Sequence, residues 1–296
     1  MKQAFVKKRF SASSLELIET ADAICNEYMS DDLTLTLRQL YYQFVARDII
    51  TNNLKSYKRL ASIVNDARLA GLIDWDAIED RTRGLKRQSA WTEPQDIIRS
   101  AWKSYQRNLW STQRNHVEVW VEKDALIGVI ERACEKYRVP FLSCRGYTSQ
   151  SELYTASRRA MSTRDCHVIY LGDHDPSGLD MTRDISERFD MFGASVKVHR
   201  VALNIEQVEE YSPPPNIAKL TDSRCSGYVE RFGDESWELD ALEPKTLCRI
   251  IEGKIDSLVD SDAWEEGLSF ENEEKRVLQK IYANYGDVAE FLKCID

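Results

Sequence analysis

The sequence predicts an α/β protein in which a winged helix-turn-helix domain precedes a Rossmann-like parallel sheet with a helical C-terminal extension. Amphipathic helical segments followed by a basic loop fill residues 1–87, and apolar strands alternate with helices from residue 117 onwards. The chain has 296 residues, of which 43% are hydrophobic, and this is enough for two cores. We expect domains at residues 1–87 and 117–296, joined by a linker at residues 88–116.

Three segments of the N-terminal domain have the apolar spacing of amphipathic helices. They cover residues 13–30, 36–47 and 54–70. Ser13 and Glu16 have the spacing of a capping box, which places the start of the first helix at Ser13. Helices of this length that are joined by short breaks favour a helix-turn-helix unit.

Two adjacent tyrosines on the second helix are expected to face in different directions. The apolar positions of this helix form one stripe, which consists of Leu37, Leu40, Tyr41 and Phe44. Arg38 and Tyr42 are four residues apart and lie on a neighbouring face of the helix. We therefore expect Tyr41 in the core, and Tyr42 at least partly exposed and close to Arg38.

Basic residues mark the part of the N-terminal domain that would contact a nucleic acid. Lys55, Lys58 and Arg59 lie on the third helix, and the basic loop that follows it carries Arg81 and Arg83. A basic third helix followed by a basic wing is typical of a winged helix-turn-helix that binds DNA. A plain helical domain with a solvated charged face is the alternative interpretation.

The charge of the chain is divided unequally along the sequence. The net charge is −9, but residues 1–116 carry +4 and the remaining residues carry −13. A basic first part favours contact with DNA there, because phosphate groups attract Lys and Arg. A chance difference between the two parts is the alternative interpretation.

From residue 117 the pattern changes to alternating strands and helices. The apolar strand segments lie at residues 117–121, 141–144, 167–171 and 195–203, with helical segments between them. Such alternation predicts a parallel sheet, because each helix connects the end of one strand to the start of the next. Helical segments at residues 237–242, 244–259 and 272–293 follow the sheet.

Acidic residues follow two of the predicted strands. Glu122 comes directly after the first strand, and Asp173 and Asp175 come after the third. The carboxyl ends of parallel strands line one edge of a sheet, so we expect these side chains to converge. Clustered carboxylates require a cation, and their hard oxygen atoms suit Mg²⁺. The alternative interpretation is that Asp-x-Asp serves only a turn and a helix cap.

The motifs at these strand ends resemble a known family. A Glu after one strand and an Asp-x-Asp after another look like a Toprim domain. The string DHDPSGLDM at residues 173–181 resembles the A subunit of topoisomerase VI and its relative, the meiotic double-strand-break protein. Residues 121–123, 144–147 and 237–242 are similar to further motifs of that family. In the N-terminal domain, RQLYY at residues 38–42 resembles its Arg-acidic-x-aromatic-Tyr motif.

The resemblance covers roughly residues 30–245 and implies a homodimer that cleaves double-stranded DNA as type IIB topoisomerases do. It implies that Tyr42 attacks a phosphorus atom and forms a 5′-phosphotyrosyl link. Arg38 would stabilise the phenolate or the transferring phosphate. The family also implies that a separate ATPase subunit is a possible partner, because the chain has no ATPase domain of its own.

The resemblance also implies that the opposite protomer holds Mg²⁺ on Glu122, Asp173 and Asp175. The metal would neutralise charge that develops on the phosphate and on the leaving 3′ oxygen. Glu122 would alternatively shuttle the proton to that oxygen. Lys123 and Arg145 are candidate phosphate contacts, with solvated surface charges as the alternative.

Two residues depart from the family pattern. Gln39 stands where the family often has an acidic residue, and His174 stands where a small glycine is common. The chain therefore resembles a stand-alone A-subunit relative more closely than a full topoisomerase. Two other functions remain open: a hydrolytic Toprim nuclease in which Tyr42 is dispensable, and a DNA-binding module that does not cleave.

Several other classes are not indicated by the sequence. The basic N-terminus lacks the apolar segment of a secretory signal, and no apolar run approaches the length of a membrane helix. The seven cysteines form no C-x-x-C pair, which predicts reduced thiols and no structural zinc site. We expect a cytoplasmic, nucleoid-associated protein without a membrane partner.

Overall fold

The structure is a computed structural model of the chain. It describes residues 1–31, 33–79, 89–162, 165–217 and 225–294. The predicted basic wing, with Arg81 and Arg83, lies outside the described residues.

Contacts divide the chain into two compact units, each built from two stretches of sequence. Unit 1 combines Met1–Arg83 with Val117–Asp256, and unit 2 combines Gly84–His116 with Ser257–Asp296. The N-terminal helices and the strands therefore belong to the same unit. The segment interpreted as a linker, residues 88–116, belongs with the C-terminal residues.

The described residues form twelve α-helices and six strands. The helices are α1 (Ala12–Met29), α2 (Leu37–Ala46), α3 (Leu54–Leu69), α4 (Pro94–Ser104), α5 (Ile127–Tyr137), α6 (Gln150–Met161), α7 (Pro176–Met191), α8 (Ile205–Tyr211), α9 (Cys225–Phe232), α10 (Pro244–Asp256), α11 (Ser261–Ala283) and α12 (Tyr285–Lys293). The strands are β1 (Asn115–Val121), β2 (Phe141–Ser143), β3 (Asp165–Leu171), β4 (Val196–Ala202), β5 (Asn216–Ile217) and β6 (Glu235–Ser236). The mixed α/β composition that the sequence predicts is confirmed.

The first three helices pack around a common apolar core. The three predicted segments are all helical, and Ile24, Leu40 and Leu60 are among the residues that they bury. The predicted capping box at the start of α1 is wrong. Ser11 caps the helix instead, because its backbone is extended and its hydroxyl accepts a hydrogen bond from the Ser14 amide at 3.3 Å.

Helix α2 begins with a reciprocal capping box. The Thr36 hydroxyl accepts from the Gln39 amide at 3.2 Å, and the Gln39 side-chain oxygen accepts from the Thr36 amide at 2.8 Å. The amide oxygen of Gln39 thus does what the carboxylate of an acidic residue would do here. The departure from the family motif at Gln39 is compatible with an intact helix start.

The chain after α3 bends rather than extends. Residues 72–75 form bends and irregular backbone in place of a strand. The Asp74 carboxylate accepts from the Asp76 amide at 2.9 Å, and Arg68 on α3 donates to the carbonyls of Trp75 and Ile78 at 2.8 and 3.0 Å. These hydrogen bonds draw the backbone against α3.

The sheet that carries the acidic residues is parallel, as the sequence predicts. Its four strands have the order β2-β1-β3-β4. Val119 pairs with Phe141 across β1 and β2, and Cys166 pairs with Val196 across β3 and β4. Because β1 and β3 are neighbours at the centre of the sheet, the residues that follow them emerge side by side.

Two predictions for the C-terminal part are wrong in detail. Residues 237–242 are not a regular helix, because Trp237 pairs with His174 as an antiparallel bridge and only Leu239–Ala241 form a short 3₁₀ turn. The predicted final helix at residues 272–293 is two helices, α11 and α12. Helix α11 starts earlier because the Asp260 carboxylate caps it, accepting from the Ala263 amide at 3.1 Å.

Unit 2 is a helical assembly of α4, α11 and α12. Trp102 on α4 stacks on Tyr282 of α11 with ring centroids 6.0 Å apart, and Tyr105 donates to the Glu274 carboxylate at 2.7 Å. Aromatic packing and polar contacts together hold α4 on α11. In the described parts of the chain, no helix is both long and apolar enough to cross a membrane.

Two histidines, the buried His167 and the half-buried His199, form a pair across β3 and β4. The Nδ1 atom of His167 lies 2.9 Å from Nε2 of His199, and the rings are stacked with an interplanar angle of 5°. Burial, His199 and Lys197 lower the pKa of His167 to about 4, and burial and Lys254 lower the pKa of His199. The folded protein therefore holds both imidazoles neutral at pH values where an unfolded chain takes up protons.

This pair predicts a loss of stability in mild acid. The pKa of His167 is depressed on folding, so its contribution is complete above the unfolded value and is lost as the pH falls from about 6.5 towards 4. We expect the Tm of the wild type to fall more between pH 7.5 and pH 5.5 than the Tm of His167→Leu. His116→Gln is the control and should behave as the wild type. Equal pH dependence in wild type and His167→Leu would contradict the assignment.

Candidate metal and tyrosine site

Glu122 and Asp173 meet where the two central strands end. The Glu122 amide donates to the Leu171 carbonyl at 2.9 Å, and the Glu122 Oε2 atom accepts from the Asp173 amide at 2.9 Å. Gly172 permits this approach, because a Cβ there would lie 3.0 Å from Glu122 Oε2. Burial raises the pKa of Glu122, and the nearby Asp175 raises it further.

The loop that carries Asp173 and Asp175 is a tight turn into α7. Asp175 caps α7 by accepting from the Gly178 amide at 2.6 Å, and Pro176 is the first residue of the helix. A Cβ at Gly178 would lie 2.2 Å from the Asp173 carbonyl oxygen, so only glycine fits there. The capping role that the sequence left open for Asp175 is present, and the same turn brings Asp175 to the edge of the sheet.

Both carboxylate oxygens of Asp173 have protein partners. Oδ1 accepts from the Leu239 amide at 2.8 Å, and Oδ2 lies 2.9 Å from the Lys123 ammonium. Burial raises the pKa of Asp173, as does the neighbouring Glu122, while Lys123 opposes the rise. Asp173 is therefore a buried carboxylate whose charge depends on a neighbouring cation.

Lys123 supplies that cation and gathers two further carboxylates. Its ammonium lies 2.9 Å from Glu238 Oε2 and 2.6 Å from Asp240 Oδ1. Burial alone would lower the pKa of Lys123, but the attraction of Asp173, Asp240 and Glu238 outweighs it and raises the pKa. Lys123 is therefore one charge of a buried network, where the sequence offered it as a phosphate contact.

Glu238 and Asp240 are site residues that local sequence patterns do not reveal. The sequence distinguishes residues 237–242 only by their similarity to a family motif. Its two acidic residues flank Leu239, whose amide binds Asp173. Their pairing with Lys123 depends on contacts across more than a hundred positions, which no local pattern reveals.

Arg38 connects the tyrosine of α2 to the same network. Its Nη2 atom donates to the Tyr42 hydroxyl at 3.3 Å and forms an ion pair with Glu238, while Nε lies 3.1 Å from Asp240 Oδ2. The guanidinium carbon also lies 5.6 Å from the centroid of the Tyr42 ring. The expected proximity of Arg38 and Tyr42 is present in the structure.

The expected exposure of Tyr42 is wrong. Tyr42 is 2% exposed and Tyr41 is 5% exposed, so both rings are buried. In the folded chain, Asn216 and Glu238 lie close to Tyr42 on the second face of α2, which an isolated helix would expose. Burial and the Glu238 charge raise the pKa of Tyr42 to about 12, against the opposing effect of Arg38. The hydroxyl is therefore neutral in this arrangement.

The carboxylates line one open cavity of about 680 Å³. Its acidic lining includes Glu122, Asp173 and Asp175, and its basic lining consists of Arg38, Lys123 and Arg145. A second cavity of about 180 Å³ borders Tyr42 and shares Arg38 and Glu238 with the first. The three predicted metal ligands are thus brought to one cavity, which Arg38 separates from the tyrosine.

The chemistry of these side chains fits Mg²⁺. All three predicted ligands are hard carboxylate donors. Burial and then the charge of Asp175 raise the pKa of Glu122, and a bound cation would oppose both effects. Among the described residues, no group of three or more His, Cys, Asp or Glu side chains is arranged so that it could hold a metal ion. Mg²⁺ does not require such a group, because it binds through one or two carboxylates together with water and phosphate.

Four of the seven predicted DNA contacts have exposed side chains in the structure. Lys55, Lys58 and Arg59 are exposed on α3. Arg145 has a side chain that is 75% exposed at the rim of the larger cavity, where its Nε lies 3.2 Å from Asp124 Oδ1.

His174, the second departure from the family pattern, supports the loop between the two aspartates. Its Nδ1 atom lies 2.9 Å from the Tyr228 hydroxyl, and its ring packs edge-on against Phe232 and Trp237. The Tyr228 hydroxyl also donates to the His174 carbonyl. The histidine therefore anchors the loop to α9, a contact that a glycine could not make.

Comparison with known proteins does not assign the chain to a family. No protein-family model matches the chain, and no curated protein matches its sequence. The resemblance to the topoisomerase VI A subunit therefore depends on the motifs themselves.

The Lys123 network predicts a large effect on stability. Lys123→Met leaves Asp173, Glu238 and Asp240 without their shared cation, and removal of one partner from a buried ion pair costs about 3–5 kcal/mol. We expect a loss of that size in urea unfolding at pH 7 without divalent metal. Adding Asp240→Asn to the Lys123→Met variant should restore part of the lost free energy of unfolding.

Lys136→Met is the matched control. Lys136 forms an ion pair with Glu252, and its side chain is 56% exposed. An exposed pair contributes at most about 1 kcal/mol, so this variant should unfold nearly as the wild type does. A Lys123→Met protein as stable as Lys136→Met would show that the network does not stabilise unit 1.

Proposed function

We propose that this chain cleaves the DNA backbone in a Mg²⁺-dependent reaction, with Tyr42 as the nucleophile. The observation that carries the proposal is one continuous series of contacts within unit 1. It runs from the Tyr42 hydroxyl through Arg38 and Glu238 to Lys123 and Asp173. A tyrosine, two cations and a cavity lined by carboxylates are the groups that phosphoryl transfer through a tyrosine requires.

The carboxylates have distinct roles in this proposal. Glu122, Asp173 and Asp175 would hold Mg²⁺, which supplies charge neutralisation at the phosphate and at the leaving 3′ oxygen. Alternatively, Glu122 would deliver a proton to the leaving oxygen, and Asp173 and Asp175 alone would then hold the metal. Lys123 holds Asp173 in place and restrains the rise of its pKa.

Arg38 and Glu238 have opposite effects on the nucleophile. Glu238 raises the pKa of Tyr42 and Arg38 lowers it. Separation of Glu238 from Arg38 would therefore favour the phenolate and leave the guanidinium to bind a DNA phosphate. In this proposal the arrangement described here is the resting one, and bound DNA replaces Glu238 at Arg38.

The exposed basic residues support double-stranded DNA as the substrate. Lys55, Lys58 and Arg59 lie on α3, the helix that reads the groove in a winged helix-turn-helix protein. A homodimer would place one tyrosine on each strand of a duplex, so that two cuts make a double-strand break.

A hydrolytic nuclease is the second candidate. The 2% exposure of Tyr42 and its pKa of about 12 favour it, because both oppose attack by the tyrosine. Water at the carboxylate cavity would then be the nucleophile, and Tyr42 would serve only to position Arg38.

Cleavage of supercoiled plasmid distinguishes these two mechanisms. The reaction contains Mg²⁺, is stopped with detergent, and is analysed with and without protease. If Tyr42 is the nucleophile, cut DNA will carry protein until protease is added, and both Tyr42→Phe and Asp173→Asn will abolish cutting. Tyr41→Phe is the matched control, because its hydroxyl bonds to Asn52 and Asn53 instead.

The other outcomes are equally informative. Protein-free products that persist in Tyr42→Phe but not in Asp173→Asn would identify the hydrolytic nuclease. Binding of DNA without products, unaffected by EDTA, would identify a DNA-binding module that does not cleave.

Mixing two inactive variants tests whether the tyrosine and the carboxylates act in the same chain. The contacts from Tyr42 to Asp173 within one protomer support action in the same chain, whereas the family resemblance implies opposite protomers. We expect a mixture of Tyr42→Phe and Asp173→Asn, unfolded together and refolded, to remain inactive. Recovery of about a quarter to a half of wild-type cutting would require opposite protomers, because only mixed dimers then contain a complete site.

A further inference from the structure

Arg200 on β4 lies beneath the loop that carries Asp173 and Asp175. Its Nη1 atom donates to the Gly178 carbonyl at 2.9 Å, and its Nη2 atom donates to the carbonyls of Gly172 and Asp173 at 3.0 and 2.6 Å. These carbonyls belong to both ends of the loop. One guanidinium therefore ties together the strand exit and the first turn of α7.

Two more hydrogen bonds fix the guanidinium itself. Nη1 also donates to the Thr182 hydroxyl at 3.0 Å, and Nη2 donates to the Leu203 carbonyl at 3.1 Å. The orientation of the guanidinium is thus fixed both by the residue that follows β4 and by α7. A lysine ammonium is a single point of charge and cannot span these acceptors in a fixed fork.

We propose that Arg200 is a positioning residue that sets the separation of Asp173 and Asp175 for a divalent cation. The inference rests on the proposed Mg²⁺ site and extends it to a residue outside the motifs. Arg200 does not face the cavity that the carboxylates line, so it acts through the loop backbone and not through substrate. Residues that orient metal ligands commonly change metal affinity by about 10–100-fold when they are replaced.

Because Arg200 is charged, the direction in which metal affinity changes on its replacement distinguishes an effect of charge from an effect of positioning. Its guanidinium interacts electrostatically with Glu122, Asp173 and Asp175. The positive charge of the guanidinium behind these carboxylates opposes the binding of a metal cation, whereas correct spacing of the carboxylates favours that binding. If charge were the main effect, neutralising Arg200 would strengthen metal binding. If positioning is the main effect, neutralising it weakens binding.

Binding of Mn²⁺ measures this directly, without DNA and without turnover. Free Mn²⁺ is followed by electron paramagnetic resonance in the full-length protein, well below the Tm of each variant. We expect Arg200→Met to weaken binding by about 10–100-fold, and Arg200→Lys, which keeps the charge but loses the fork, to weaken it by about 10-fold.

Arg159→Met is the matched control for a general loss of stability. Arg159 on α6 belongs to the same unit, and its Nε and Nη2 atoms donate to the Glu118 carboxylate at 3.0 and 3.1 Å. The Arg159→Met substitution should lower the Tm without changing the affinity of the protein for Mn²⁺. Equal weakening in Arg159→Met and Arg200→Met would overturn the positioning role.

The remaining outcomes separate this inference from the proposed function. Failure of the wild type to bind Mn²⁺, with Asp173→Asn indistinguishable from it, would refute the metal site and the inference with it. Binding that Asp173→Asn abolishes but Arg200→Met leaves unchanged or strengthens would refute only the role of Arg200. If Arg200→Met does not fold, Arg200→Lys decides by the same comparison.

Discussion

The contact between the Lys123 ammonium and three carboxylates is the interaction on which the site depends. Asp173, Glu238 and Asp240 come from two separate segments, and in a buried environment their negative charges would repel one another strongly. One ammonium converts this repulsion into attraction and holds the segment at residues 238–240 against the end of β1. Glu238 and Asp240 also form ion pairs with Arg38, and these contacts hold α2 against the segment at residues 238–240. A polar network thus helps to join the N-terminal helices to the sheet within unit 1.

This network also determines the state of Tyr42. The phenol lies between a guanidinium that favours its ionised form and a carboxylate that disfavours it, and burial adds to the second effect. The same Glu238 that completes the Lys123 network therefore keeps the tyrosine neutral. A phosphate that binds Arg38 competes with Glu238 for the same guanidinium. In the proposed reaction, the Arg38–Glu238 ion pair would therefore stabilise the resting arrangement and oppose the reactivity of Tyr42.

Features that depend on neighbouring residues could be predicted from the sequence. Periodicity predicts the three N-terminal helices and the parallel sheet, and the way that parallel strands end predicts the convergence of Glu122 with Asp173. The burial of Tyr42 could not be predicted, because the surface that covers it includes Glu238, 196 positions further along the chain. The roles of Glu238, Asp240 and Arg200 were missed for the same reason. A charged residue near a loop has many possible partners, and only the folded chain selects among them.

The hydrogen bonds at the carboxylates bear on how a metal ion would bind. Glu122, Asp173 and Asp175 each accept from a backbone amide, and Asp173 also contacts Lys123. These amides and the Lys123 ammonium stabilise the carboxylates when no metal ion is bound. A divalent ion must compete with Lys123 for Asp173, whereas Glu122 and Asp175 each use one oxygen in these contacts. In the proposed function, a DNA phosphate that supplies further oxygen ligands would favour the metal in this competition, and metal binding would then be coupled to DNA binding.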